Sequence, residues 1–305
     1  MIYLRKNWMK LLRQIILIMI ILGTLGLLIN SAMFIAPDRS IKRNIATQIN
    51  MIKSIYTSIK YYASDCVLSN FPHRVVAPDN MVQVSVPAGS FIMGANDGKG
   101  SPNSPQHLVD LDAFWIDQIE VTNHMYWLCL QKNSCTPPAP ENRFFINPLF
   151  SSYPIVYITW DQALQYCNWA GRDLPTEAQW EKSARGTTGE IYPWGSDTPT
   201  NGFGNFDNKV GTIISATTYA AGASPYGALN MVSNVREWVK DKYNPTYYQR
   251  SPLINPNGSQ QGSMRSLRGG SFLDTVDRLT TFFRFAHEPS SPGINRGFRC
   301  VSNER

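Results

Sequence analysis

The chain has 305 residues, of which 43% are hydrophobic, 12% aromatic and 16% charged, a composition that excludes global disorder and allows one large domain. The formal net charge of +6 comes from the N-terminal segment, because residues 1–80 hold ten Lys and Arg against three Asp and Glu. Residues 81–305 hold eighteen Lys and Arg against nineteen Asp and Glu. This near-neutral balance argues against nucleic-acid binding, for which a basic face is expected.

The first predicted element is a membrane-spanning helix. Residues 15–35 form an uncharged apolar run of about the roughly 20 residues that cross a bilayer. A cleaved signal peptide, with a small-residue stretch at 30–32, is the alternative, but the apolar run continues beyond that stretch. We predict a cytoplasmic basic segment at 1–14, which suits anionic lipid headgroups, and a transmembrane helix at 15–36. The remainder would lie outside the cytoplasm at the cell membrane, in the periplasm or the extracellular space.

Residues 37–80 are predicted to form a juxtamembrane helix and a linker. Isoleucines recur there at spacings of three and four, which gives one apolar stripe along a helix. The stripe consists of Ile41, Ile45, Ile49, Ile52, Ile55 and Ile59. It suits either a stalk that packs on its own domain or a helix that docks on partner subunits. Prolines at 72 and 78 indicate that the linker runs over 70–78.

From residue 81 to residue 305, short apolar runs alternate with Gly, Pro, Asn and Ser. Residues 82–86 have the apolar–polar alternation of a strand. Helices are predicted at 160–170 and 175–185, the second with Thr176 as its N-cap. Residues 192–219 show little regular pattern.

Seven segments of this region carry motifs in a recognisable order. They are VPAGSFIMG (86–94), FWIDQIEVTNHMY (114–126), ITWDQALQYCNWAGRDLPTEAQWEKSARG (158–186), YPWG (192–195), YGALNMVSNVREW (226–238), LRGGSF (267–272) and NRGFRC (295–300). The region resembles the formylglycine-generating enzymes, or sulfatase-modifying factors, and LPTEAQWE and RGGS…GFR are the most specific of these motifs. The resemblance implies an α+β domain of low regular structure over 81–305, related to C-type lectin domains.

The chain contains five cysteines, and disulfides between them would persist outside the cytoplasm. Cys129 and Cys135 are close enough in sequence to close a small ring. The resemblance implies a structural disulfide between Cys167 and Cys300, with two buried thiols as the alternative. Cys66 is left over, either free or paired with another subunit.

The resemblance also predicts where catalytic cysteines should lie. Active members hold copper with two thiolates, and thiolates suit Cu(I). The corresponding positions, three and eight residues after Ser271, hold Asp274 and Leu279, or Thr280 if the loop has one extra residue. No cysteine lies between Cys167 and Cys300, so copper is not expected and no catalytic residue is assigned.

Structural calcium and a ligand groove are further implications of the resemblance. A first calcium site would use a short loop that supplies oxygen ligands, from Asn230, Ser233, Val235 and Glu237. A second would use Asn205, Phe206, Asn208 and Val210. The motifs that line the family's groove carry Ser271, Phe272, Asp274, Arg284 and Arg299.

These patterns favour a membrane-anchored, non-catalytic binding or assembly module, as an accessory subunit of a larger membrane complex. One alternative is a metal-dependent oxidase or sulfatase-modifying enzyme with an altered site, for which Asp274 and Asp277 are candidate groups. The missing cysteine pair counts against it. Another is a lectin-like ligand-binding protein, which fold alone does not establish. A retroelement-type variable protein is disfavoured because residues 273–295 hold one Asn and no Tyr.

Overall fold

The computed structural model describes residues 71–96 and 102–303. The chain divides after Cys66 into two units, and all of the described residues belong to the second. The predicted segments at 1–14 and 15–36 and the isoleucine stripe lie outside the described residues. Within those residues, no helix combines the length and the apolar character needed to cross a bilayer.

The domain is of the predicted α+β class. Its described part contains three α-helices: α1 (Asn123–Gln131), α2 (Trp160–Trp169) and α3 (Glu177–Arg185). The strands there are β1 (His73–Val76), β2 (Met81–Val86), β3 (Gly89–Met93), β4 (His107–Leu111), β5 (Phe114–Asp117), β6 (Arg236–Lys242), β7 (Arg265–Arg268), β8 (Arg284–His287), β9 (Arg296–Gly297) and β10 (Val301–Asn303). Between 192 and 219 no helix or strand occurs, as the sequence indicates.

The first sheet joins the two ends of the domain in the order β1-β2-β5-β10, with antiparallel pairing throughout. The interpretation of 70–78 as a linker is wrong, because β1 pairs along its whole length with β2. Pro72 and Pro78 lie just outside β1, where a missing N–H removes no ladder hydrogen bond. They therefore mark the ends of a strand.

A hairpin of β3 and β4 forms the second sheet, and β8-β7-β6-β9 form the third. In the third sheet, β6 is antiparallel to β7 and parallel to β9. The NVREW, LRGGSF and NRGFRC segments, which are far apart in sequence, therefore lie side by side.

The two predicted helices are confirmed as α2 and α3. Each begins with a capping box, in which a threonine accepts from the N3 backbone N–H and the N3 glutamine bonds back: Thr159 with Gln162, and Thr176 with Gln179. Eight of the nine α3 residues are buried, four of them charged, so this helix crosses the interior and its charges need partners there.

Both predicted disulfides are present. One joins Cys129 to Cys135, six residues apart, and the other joins Cys167 on α2 to Cys300, 133 residues apart. All four cysteines lie in the same part of the hydrophobic core. The long-range bridge therefore connects α2 to the C-terminal end of the domain.

Replacing both Cys167 and Cys300 with alanine is expected to lower the free energy of unfolding by about 5 kcal/mol, since the crosslink closes a loop of 133 residues in the unfolded chain. The matched Cys129 and Cys135 double variant should lose only about 2 kcal/mol. Urea denaturation of the full chain in detergent measures both losses. Equal losses for the two pairs would contradict the loop-length account.

Candidate functional site

The RGGS loop is held against the strand-bearing core by two glycines. Gly269 has φ +73°, and a Cβ there would lie 2.4 Å from the Met231 carbonyl oxygen. A Cβ on Gly270 would lie 2.6 Å from the Val232 carbonyl oxygen. Only glycine permits this close approach, and it fixes the direction in which Ser271 leaves the sheet.

Asp274 lies at the first position where the resemblance predicts a cysteine, and its carboxylate is engaged on several sides. Oδ2 accepts from the backbone N–H of Ser271 at 2.9 Å, from its hydroxyl at 2.6 Å and from Nε of Arg236 at 3.0 Å. Oδ1 forms a second bond with the Arg236 guanidinium. With an exposed fraction of 3%, Asp274 is a buried partner of a bidentate ion pair.

The second predicted cysteine position belongs to the core. Leu279 has an exposed fraction of 0% and packs among apolar residues that include Trp180. Thr280, the alternative position, is partly buried. Neither residue supplies the soft, deprotonated ligand that a thiolate would supply.

Arg299, predicted for the groove, instead forms a buried ion pair with Glu237. Its Nε and one terminal nitrogen donate to the two carboxylate oxygens, each at 2.7 Å. Trp180 on α3 donates to the same carboxylate at 2.8 Å. All three side chains are buried, so Arg299 connects the interior elements and does not face a surface groove.

Arg284 belongs to another buried network. Its Nε lies 2.9 Å from Oε2 of Glu177, and the backbone N–H of Glu177 donates to Asp241 at 3.0 Å. Arg268 pairs with Glu181 at 2.6 Å beside them. Of the residues predicted for the groove, the structure therefore brings Ser271, Phe272 and Asp274 together, since they share one loop.

The loop of the first predicted calcium site presents one unused oxygen. Asn230 donates through Nδ2 to the Ala216 carbonyl at 2.8 Å and to Glu120 at 3.2 Å. Its Oδ1 is buried and has no partner among the described residues. Ser233 and Val235 are buried in the same loop. The carboxylate of Glu237, by contrast, is held by a guanidinium.

At the second predicted calcium site, Asn205 presents the same feature. Its Nδ2 donates to the Thr212 carbonyl at 2.8 Å, and its buried Oδ1 has no partner in the described part of the chain. Phe206 is buried, whereas Asn208 and Val210 are exposed. Two buried amide oxygens thus lack the hydrogen bonds that buried acceptors normally make.

Sequence reasoning misses Arg236, the partner of Asp274. The signal available is its place in NVREW, directly before a buried Glu-Trp pair, where a solvated arginine would be unusual. Asp277, the other carboxylate considered for chemistry, is exposed beside Arg278. Among the described residues, no three His, Cys, Asp or Glu side chains are grouped so as to hold a metal ion.

Together, the fold and the retained motifs define a formylglycine-generating-enzyme-like domain. The family described as the sulfatase-modifying factor enzyme 1-like domain matches residues 70–304, and the chain belongs to this family. This match includes β1, in agreement with the position of that strand in the first sheet.

Similar proteins include enzymes, a protein named as inactive and a solved structure. The formylglycine-generating enzyme of Streptomyces coelicolor is 30% identical over 281 residues, covering 72% of this chain and 89% of that enzyme. The inactive C-alpha-formylglycine-generating enzyme 2 of Bos taurus is 32% identical over 195 residues, which cover 58% of this chain and 59% of the bovine protein. The structure of PvdO from Pseudomonas aeruginosa has the same fold, with a TM-score of 0.65 at 20% identity. The match covers 76% of this chain and 98% of PvdO.

The buried network around Glu177 should make stability depend on pH. Burial, with the Glu177 carboxylate beside it, raises the pKa of Asp241 to about 7. A raised carboxyl pKa means that the folded state binds the proton more tightly than the unfolded state. The contribution of Asp241 to the free energy of unfolding is therefore full below pH 3.8, the pKa of this carboxyl in the unfolded chain. It is lost as the pH rises through about 7, the pKa in the folded chain.

Asp241→Asn is expected to flatten the fall in unfolding free energy between about pH 4 and about pH 7, and to stabilise the chain above that window. The amide oxygen can still accept from the Glu177 N–H. Urea denaturation at a series of pH values measures the slope, with the exposed Asp277→Asn as control for losing one carboxylate. An unchanged slope in Asp241→Asn would remove this residue as the cause.

Proposed function

We propose that this chain is a membrane-anchored, non-catalytic member of its family that acts as a binding and assembly module, an accessory subunit of a larger membrane protein complex. The observation that carries the proposal is the state of the two positions predicted for catalytic cysteines. One holds Asp274 in an ion pair with Arg236, and the other holds Leu279 in the core.

The remaining cysteines support the same conclusion. Four of the five are joined in disulfides, which leaves Cys66 as the single other cysteine of the chain. A copper site of the family type needs two thiolates, and a disulfide sulfur is not a thiolate. The bovine relative named as inactive belongs to the same group of similar proteins.

Membrane anchoring rests on the uncharged apolar run at 15–35. It would place the folded domain outside the cytoplasm, where the two disulfides would be stable. The bilayer and other subunits of a membrane complex are then the expected partners. The near-neutral charge of 81–305 gives no reason to expect nucleic acid.

Extraction of the native chain in a mild detergent is the test of assembly. We expect it to elute in a particle well above 34.4 kDa plus detergent, with defined proteins identified by mass spectrometry. The same preparation, supplied with copper and a cysteine-containing sulfatase peptide, should convert no cysteine to formylglycine, because the thiolate pair is absent. The Streptomyces coelicolor enzyme serves as positive control.

Two results would contradict the proposal. Formylglycine production above a no-protein control would show an enzyme with an altered site. A chain that elutes alone, and binds immobilised glycans in the absence of other proteins, would favour the lectin-like alternative.

We also propose structural calcium at the loops of Asn230 and Asn205. The support is the pair of buried amide oxygens without partners, since such oxygens suit Ca²⁺. Asn230 would act with the carbonyls of Ser233 and Val235. Glu237, assigned to the same ion by the resemblance, is bonded by Arg299 in this structure. Bound ions would hold irregular loops together and supply no chemistry.

Removal of calcium is expected to destabilise the domain. At a calcium concentration of about 100 times Kd, binding at each site adds about 2.7 kcal/mol to the stability of the folded state, which excess chelator should remove. Thermal unfolding of the full chain with calcium and with chelator measures the difference. Asn230→Ala should abolish the response of the first site and Asn205→Ala that of the second. A melting temperature that chelator leaves unchanged in the wild type would refute both sites.

A further inference from the structure

Two arginines lie side by side at the β6–β9 edge of the third sheet. Arg236 and Arg296 are register partners in the parallel pair of strands. The backbone N–H of Arg236 donates to the Asn295 carbonyl at 2.9 Å, which keeps the two strands together. Both side chains are partly buried, so each loses some of the water that would solvate a charge.

The two charges are compensated unequally. Arg236 has Asp274 as its bidentate partner. Arg296 donates to the carbonyl of Ser291 at 2.6 Å and to its hydroxyl at 3.2 Å, and its Nε is buried without a partner. In the part of the chain that the structure describes, no ion pair includes Arg296. The partly buried guanidinium of Arg296 thus has only neutral hydrogen-bond partners, and both of them are bonded to the same terminal nitrogen.

The electrostatic consequence appears in the neighbouring groups. Burial, and then the charge of Arg236, lower the pKa of Arg296. Burial, and then the charge of Arg296, lower the pKa of His287, while Glu288 acts in the opposite direction. Glu288 is exposed and Asp274 is already paired, so a negative charge beside Arg296 is what this surface lacks.

An aromatic surface adjoins Arg236, the register partner of Arg296. The Arg236 guanidinium lies 3.7 Å from the centroid of the Phe285 ring, and the Phe283 and Phe285 centroids are 4.6 Å apart. Both rings are partly exposed, and Leu273 on the RGGS loop is 47% exposed. Phenylalanine rings offer apolar contact and no hydrogen bonds, which suits an apolar side chain better than the hydroxyls of a sugar.

We propose that Arg296, with Arg236 beside it, binds the carboxylate of an acidic peptide segment whose neighbouring apolar side chain packs on Phe283 and Phe285. This inference rests on the proposed binding function and names the chemistry of the partner. The ligand carboxylate would supply the missing charge, and Asp274 would keep Arg236 in place without competing for Arg296. Charge-assisted hydrogen bonds to a guanidinium are the stronger kind, and a partly buried setting screens them less.

The test compares two blocked peptides, acetyl-Ala-Phe-Glu-Phe-Ala-amide and the same peptide with Gln in place of Glu. Calorimetric titration of the full chain in detergent, at about 50 mM salt to limit screening, gives both affinities. We expect the Glu peptide to bind at least about tenfold more tightly, the usual scale for a hydrogen bond to a charged group. Higher salt should reduce this preference.

Variants assign the preference to Arg296. Arg296→Gln should bring the affinity ratio of the two peptides close to one, and Arg296→Lys should keep most of it. The matched control is Arg143→Gln, which removes an exposed arginine whose guanidinium lies 5.7 Å from the Phe144 ring. It should leave the ratio unchanged. Thermal unfolding of each variant shows that the chain is folded.

Equal binding of the Glu and Gln peptides by the wild type would overturn the inference, as would an undiminished preference in folded Arg296→Gln. Tighter binding of a heparin disaccharide than of the Glu peptide would assign the site to sulfated glycan and would also overturn it. Elution of the detergent-extracted chain, the test of assembly, is evaluated independently of the peptide preference. An intact assembly with no peptide preference leaves the proposed function standing, whereas a peptide preference in a chain that assembles with nothing refutes assembly alone.

Discussion

The buried ion pair between Glu237 and Arg299 is the interaction on which this domain depends. Besides Glu237, Arg299 donates to the carbonyls of Asp117 and Leu229, so β5, β6 and the C-terminal motif meet at one guanidinium. Trp180 adds α3 to the same carboxylate. Removing one member would leave a charge unpaired in the interior, at a cost of about 3–5 kcal/mol. A domain with so little regular structure uses such contacts in place of long helices and wide sheets.

This dependence gives the family's most specific motifs a structural role in this chain. LPTEAQWE supplies Trp180 and Glu181, and GFRC supplies Arg299; the partners of these residues are Glu237 and Arg268, which lie on adjoining strands of one sheet. Each is buried and makes its contacts in the interior, whatever residues the loop after β7 carries. The motifs therefore establish the family and the fold. They do not establish the activity, which depends on the few residues at the catalytic positions.

The sequence is sufficient for the features that depend on local pattern. The two capped helices follow from threonine three residues before glutamine, as at Thr176, and the Cys129–Cys135 ring fits the short spacing of its cysteines. The Cys167–Cys300 disulfide is implied by the family resemblance and by no local pattern. The β1 strand escapes prediction because Pro72 and Pro78 have the pattern of a linker, although they only bound the strand. Arg284 is assigned to the groove by motif alone. Its pairing with Glu177 spans 107 residues, and no local pattern shows which of two charged residues so far apart will meet in the interior.

Asp274 and Arg236 act as one electrostatic unit. Oδ2 of Asp274 already accepts three hydrogen bonds, and Oδ1 is held by the guanidinium, so the carboxylate is a poor candidate for a hard cation. Restoring cysteine at 274 alone would remove the counter-charge of Arg236 and leave two adjacent guanidinium groups without a carboxylate. The carboxylate at 274 and the arginine on β6 therefore stabilise each other, and a change at either position leaves the other without its partner.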